Sequence, residues 1–188
     1  MVDFFIQGGG FMWPILIALL FGLAIIGERA YSLINSSSNT DQFFDDVKTI
    51  YDDSGKEQAI EFCENTPGPV ASIFYAGLSK MEKTKEEIEK AVQNAGGLEM
   101  AFLEKNMIWI NSVITIAPML GFTGTVVGMI KAFEDIKMAN DISPAVVAGG
   151  ISQALLTTAF GLIVAMIMQV AQNFFVSMID KLILDMEE

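Results

Sequence analysis

Three stretches of the chain contain no Asp, Glu, Lys or Arg: residues 4–27, 106–130 and 142–179. Each exceeds the roughly 20 apolar residues that a helix needs to cross a bilayer. The rest of a 188-residue chain is too small to bury three such helices inside a soluble domain. The pattern predicts an all-α integral membrane protein with three transmembrane helices. The first stretch is not a secretory signal: its leading residues include Asp3 but no Lys or Arg. Its apolar run also exceeds the roughly 7–15 residues of a signal core, so a retained span is expected.

Between the first two spans the pattern becomes amphipathic. After the polar break from Asn35 to Asn39, the segment Thr40 to Asp53 puts Phe43, Phe44, Val47, Ile50 and Tyr51 on one helical stripe, and Gly55 ends it. A short segment around Ala59 to Cys63 follows, and Thr66-Pro67-Gly68-Pro69 forces a turn. Val70, Ile73, Phe74, Gly77, Leu78 and Met81 then recur at helical spacing, and Thr84 with Glu87 matches a capping box. From Thr84 the only breaker before the second span is Gly96-Gly97. The expectation is one rod of about 45 residues, about 65 Å long, bent at the glycine pair and at Pro118.

The resulting division is an extracytoplasmic N-terminus over 1–10, transmembrane helix 1 over 11–34 and a cytoplasmic helical domain over 35–105. Transmembrane helix 2 takes 106–133, a short extracytoplasmic loop 134–143, transmembrane helix 3 144–172 and a cytoplasmic C-terminal helix 173–188. Helices two and three thus extend into the cytoplasm. Orientation follows from the cations. Arg29, Lys48, Lys56, Lys80, Lys83, Lys85, Lys90 and Lys105 lie between the first two spans and Lys181 follows the third, against only Lys131 and Lys137 between spans two and three. The positive-inside rule places the N-terminus outside and the C-terminus inside.

Charge and composition narrow the chemistry. With 11 Lys+Arg against 23 Asp+Glu the net charge is −12, and no basic run interrupts the acidity, so nucleic acid is excluded as a partner. The absence of His removes imidazole metal sites and every nucleophile–His pair, and a single cysteine, Cys63, removes disulfides and thiolate clusters. Gly8-Gly9-Gly10 leads into a span without Gly-Lys-Ser/Thr, so it is no phosphate loop. No metal, cofactor or enzymatic activity is expected.

Spans two and three carry the informative residues. In the second, Gly121, Thr125 and Gly128 fall at i, i+4 and i+7, a face of little bulk with one hydroxyl. In the third, Gly150, Ala154, Thr158, Gly161 and Ala165 form a similar stripe. Such stripes let another backbone approach closely, and two readings stay open. One is plain helix packing, with Gly124 and Gly128 a GxxxG pair and each hydroxyl bonded to its own helix. The other is a pair of faces turned to a central partner or pore, where Thr125 and Thr158 supply hydrogen bonds.

The run Ala117-Pro118-Met119-Leu120-Gly121-Phe122-Thr123-Gly124-Thr125-Val126-Val127-Gly128-Met129 and the run Gly150-Ile151-Ser152-Gln153-Ala154-Leu155-Leu156-Thr157-Thr158-Ala159-Phe160-Gly161-Leu162 resemble the ExbB, TolQ and MotA proton-channel proteins. The single early span and the chain length are similar to ExbB or TolQ, whereas MotA-type stators have four spans. The resemblance implies a homopentamer in the bacterial cytoplasmic (inner) membrane, whose second and third spans line a pore holding the helices of an ExbD- or TolR-like partner. That partner supplies a transmembrane Asp, and a TonB- or TolA-like protein is a further implied partner. The function implied is a stator-like proton-channel subunit that uses the proton gradient to energise an envelope process. By the same resemblance Thr125, Thr158 and Gln153 are expected along the proton pathway, and Pro118, Gly121, Gly128, Gly150, Ala154, Gly161 and Ala165 in partner-helix packing. Gln153 departs from the Glu frequent in ExbB and TolQ, so it is expected to be a polar contact that relays no charge. The competing reading is a passive membrane scaffold without ion conduction. No ionisable residue lies within the three charge-free stretches, so a titrating carboxylate in mid-membrane has to come from a partner.

Overall fold

A computed structural model describes residues 2–36, 40–139 and 144–187, with side chains described for 4–36, 42–138 and 147–186. Among the described residues eight helices follow in order: α1 (Val2–Gln7), α2 (Met12–Ser36), α3 (Thr40–Ser54), α4 (Lys56–Asn65), α5 (Pro69–Leu78), α6 (Lys85–Leu103), α7 (Met107–Ala139) and α8 (Pro144–Glu187). The described residues include no strand. Three of these helices, α2, α7 and α8, are long and apolar enough to cross a membrane. Most of each apolar window is uncovered in the single chain, as expected for helices whose solvent is lipid.

The chain divides into two compact units. The first comprises Met1–Gly27 and Asn106–Asn173, and the second Glu28–Lys105 and Phe174–Glu188. In the first, Met12, Ile15, Ile110, Val113, Ala117, Ala132, Ala154, Val164, Ala165 and Met168 are buried. Gly22 on α2 lets this packing close, because a Cβ there would stand 2.5 Å from the Met168 sulfur and 3.5 Å from Val113.

The second unit is held by an aromatic and aliphatic core. Phe43 stacks on Phe62 at 5.8 Å and meets Phe74 edge-on at 5.7 Å, while Phe44 meets Phe74 edge-on at 4.7 Å. Val47, Cys63, Val70 and Ala71 complete this core, with Met186 packed against it. Phe175, Ile179 and Leu182 are buried at steps of four and three, so the end of α8 presents a helical stripe to its own unit. Burial in this core pushes the Cys63 thiol above its ordinary pKa.

Local chemistry sets the ends of these helices. Gly55 takes φ 89° between α3 and α4, and Gly68 takes φ 137° ahead of Pro69, the first residue of α5. Thr84 caps α6 through a reciprocal capping box with Glu87. Helix α5 stops at Leu78, short of the Met81 expected from periodicity, and three successive turn bonds from Lys80, Met81 and Lys83 lead to that cap.

Two expectations require correction. The single rod from Thr84 through span two is broken: α6 ends at Leu103, α7 begins at Met107, and Asn106 between them has φ 64°. The Glu104 and Lys105 amides donate back to the Met100 and Phe102 carbonyls, and the Trp109 amide donates to Asn106 as the new helix starts. Asn can adopt this left-handed conformation because its short polar side chain hydrogen-bonds locally. The glycine pair at 96–97, where a bend was expected, lies inside α6 without interrupting it. The second correction concerns the loop expected over 134–143: α7 remains helical to Ala139, over a segment rich in Lys, Glu, Met and Ala, which are good helix formers. Residues 140–143 lie outside the described residues, as do residues 37–39 of the serine run.

Candidate functional site

In the first unit α7 and α8 run antiparallel at close range, and small residues make that approach possible. A Cβ at Gly161 would lie 2.5 Å from the Ala117 carbonyl oxygen, and one at Gly121 would lie 2.9 Å from the Thr157 carbonyl and 3.0 Å from Thr158 Cα. A Cβ at Gly124 would meet Thr157 Oγ1 at 2.6 Å, one at Gly128 would sit 3.3 Å from Ala154 Cβ, and one at Gly150 would run into Ala132 Cβ. Positions 117, 121, 124, 128 and 132 on α7 thus answer 161, 158, 157, 154 and 150 on α8. The steps are three and four along α7, and also along α8 apart from the adjacent pair 157 and 158, so the pairings share one face of each helix.

This geometry redirects the small-residue stripes. Gly121, Gly128, Gly150, Ala154 and Gly161 were expected to pack against a partner's helix; in this chain they pack α7 against α8. Two consecutive helices with matching small faces find each other first, since close van der Waals packing is the main attraction between helices in lipid. Ala165 is buried in the same unit, and Pro118 is half-buried inside α7. Having no amide hydrogen, Pro118 leaves the Ile114 carbonyl without its usual helical donor.

The hydroxyls divide by what they touch. Thr158 Oγ1 donates across the interface to the Gly121 carbonyl at 3.2 Å. Thr125 is half-buried and donates to Phe122 of its own helix at 2.6 Å. Thr157, which sequence reasoning passed over, is 1% exposed, donates to the Ala154 carbonyl at 2.8 Å and covers Gly124. Its signal was the glycine opposite, which becomes visible only once the register of the two helices is known. Gln153 lies elsewhere: its amide packs on Gly9, which has φ 73° in the turn between α1 and α2. A Cβ at Gly9 would collide with Gln153 Nε2.

A second group that sequence reasoning missed is Arg29, which is 1% exposed. Its Nε donates to Glu28 Oε2 at 2.7 Å, its Nη2 pairs with Glu28 Oε1, and its Nη1 donates to the Phe102 carbonyl at 3.3 Å. The guanidinium thereby satisfies a carbonyl in the last turn of α6, where the helix dipole favours a cation. The available signal was its position as the first cation after the charge-free run of span one. Elsewhere in the second unit Lys56 Nζ lies 3.0 Å from Glu82 Oε1 and holds the Glu82 carboxyl below its usual range. Among the described residues no cluster of three or more His, Cys, Asp or Glu is placed to hold a metal ion.

The membrane unit can therefore offer hydroxyls, amides and free carbonyls, and it brings no titrating group of its own to mid-membrane. Comparison with known proteins gives this arrangement a context. The chain is 29% identical over 173 residues to an ExbB-like biopolymer transport protein of Synechocystis sp., covering 91% of this chain and 82% of that one. It is 28% identical over 180 residues to an ExbB homologue of Methanothermobacter thermautotrophicus, covering 95% of this chain and 64% of the other. It is also 28% identical over 125 residues to the Tol-Pal system protein TolQ of Pseudomonas aeruginosa, covering 61% and 54%. The profile of the MotA/TolQ/ExbB proton channel family matches residues 65–188, well over half of the chain and all of α7 and α8. On these grounds the chain, an integral membrane protein of the ExbB/TolQ type, belongs to the MotA/TolQ/ExbB proton channel family.

Proposed function

We propose that this protein is the channel subunit of a proton-driven motor that energises an envelope process together with an ExbD/TolR-like partner. The observation that carries the reading is the combination of three membrane-length stretches without an ionisable side chain, residues 4–27, 106–130 and 142–179, and a pair of threonines, Thr125 and Thr158, at the second threonine of each motif. A proton cannot pause in mid-membrane without a group to hold it, so the carboxyl group arrives on the partner's helix. A hydroxyl suits both of its states, since it donates to a carboxylate and accepts from a carboxylic acid. Desolvating either state without a partner would cost several kcal/mol, roughly 2–7 for a neutral polar group and more for a charge.

In this reading several copies of the chain, five by resemblance, surround the partner helices. The second unit, with α3–α6, lies on the cytoplasmic side and the α7–α8 connection outside. The stitched α7–α8 pair forms one wall element of the pore, and its face carrying Thr125 and the open side of Thr158 meets the partner. Pro118 leaves the Ile114 carbonyl of the same wall without its helical donor, and Gln153 is a polar contact towards the outer end.

Liposome proton-flux assays test this. Vesicles holding the chain alone should show no specific proton leak, whereas vesicles and cells holding chain and partner should show activity that collapses when the gradient is dissipated. Robust flux through the isolated chain would overturn the reading. Stable assembly with no gradient-dependent activity would identify a passive scaffold.

A further inference from the structure

We infer that Thr158 is a positioning residue that ties the charge state of the partner's carboxyl group to the closest approach of α7 and α8. The inference rests on the reading that a partner supplies that group. Of the three threonines described at this interface, Thr158 alone uses its hydroxyl proton between helices, on the Gly121 carbonyl. Thr125 and Thr157 spend theirs on carbonyls of their own helices. The bond falls where the backbones are tightest, since neither Gly121 nor Gly161 leaves room for a Cβ. Thr158 is also half-buried, so its hydroxyl has an open side.

A hydroxyl has one proton and two lone pairs. Towards a neutral carboxylic acid Thr158 can accept with a lone pair while its own proton stays on Gly121. A carboxylate only accepts, so Thr158 has to turn its proton away from Gly121 to serve it. The exchange favours the carboxylate for two reasons. A charge-assisted bond is roughly twice as strong as a neutral one, and at 3.2 Å the present bond is long for a hydroxyl donor. Gly121 keeps its place in the helical ladder of α7, so no buried carbonyl is orphaned. When the acid loses its proton to water, only hydrogen bonds in this chain rearrange: the stitch between α7 and α8 opens, and reprotonation closes it. The proton cycle of the partner is thus transmitted to the wall that surrounds it.

The Gly121 carbonyl reports the exchange directly. Gly-Phe occurs at Gly10-Phe11 and Gly121-Phe122 only, so carbonyl-13C glycine with 15N phenylalanine gives two correlated signals, and Phe11→Leu removes the first. The sample is the full chain reconstituted in liposomes with the ExbD-type protein of its own organism. As pH rises through titration of the partner's carboxyl group, the Gly121 signal should move upfield on losing its donor. With the partner's membrane aspartate changed to asparagine it should stay fixed. Thr158→Val should hold it at the upfield position at every pH, and Thr158→Ser should restore the titration. A Gly121 signal indifferent to pH, in a complex with gradient-dependent activity, overturns the stitch and leaves the proposed function standing. Failure of the two proteins to associate overturns both.

Discussion

At the scale of single residues, the glycines of α7 and α8 separate into those that a backbone opposes and those that nothing opposes. Gly161→Ala would drive a methyl group into the Ala117 carbonyl, a backbone atom that cannot swing aside. A loss of about 1–3 kcal/mol of stability is expected, read as earlier unfolding in detergent. Gly97→Ala on α6 meets nothing within 4 Å and should instead gain about 0.5–1 kcal/mol from helix propensity. The hydroxyls call for a different measurement. Under the proposed function, Thr125→Val and Thr158→Val keep the shape and remove a bond to the partner's charged carboxylate worth about 1.5–3 kcal/mol, so both variants should assemble while gradient-dependent activity falls about tenfold or more. Full activity in both would reduce the hydroxyls to packing. Gln153→Glu should be tolerated if the side chain is a polar contact only.

At the scale of elements, the join between α6 and α7 turns on one backbone conformation. Asn106→Val, β-branched at φ 64°, should cost about 1–2 kcal/mol and expose the join to limited proteolysis. This join also marks where sequence reasoning stopped. Spans were legible because a charge in lipid is so costly that its absence can be counted along the chain. The turns at Gly55 and Thr66–Pro69 and the cap at Thr84 were legible because Gly, Pro and Thr each act on the backbone at their own position. Asn106 was not, because nothing around it distinguishes an Asn that begins a span from one that breaks a rod. The stripes were legible as faces, but periodicity names a face and not what covers it. Matching Gly121 to Thr158 and Gly161 requires the register of two neighbouring helices, which joins positions far apart in sequence.

At the scale of the whole molecule, the packing of both stripes within the chain changes what an assembly experiment means. Any ring of copies would have to be built from other surfaces, and Ile116, Met119, Phe122, Leu155 and Leu162 remain exposed for lipid or a neighbouring copy. Native mass spectrometry in mild detergent should find a pentamer, and a stable monomer or dimer would overturn the central-pore arrangement. Gly128→Leu now makes a distinguishing variant. Its side chain would strike Ala154 of the same chain, so the protomer itself should unfold earlier; a folded protomer released from the ring would show that Gly128 lies between copies.

The paired positions from 117–132 and 150–161 also set a rule for how this fold can change in length. One residue inserted between Ala117 and Gly128 would turn every later position by about 100° and slide it by about 1.5 Å. The site now held by Gly128 would then receive the side chain of Val127, against an Ala154 backbone that has no space for it. Descendants of this sequence can exchange residues of similar size along α7, but gaps in their alignments should gather at turns such as Gly55 and Thr66–Pro69 and stay out of the span.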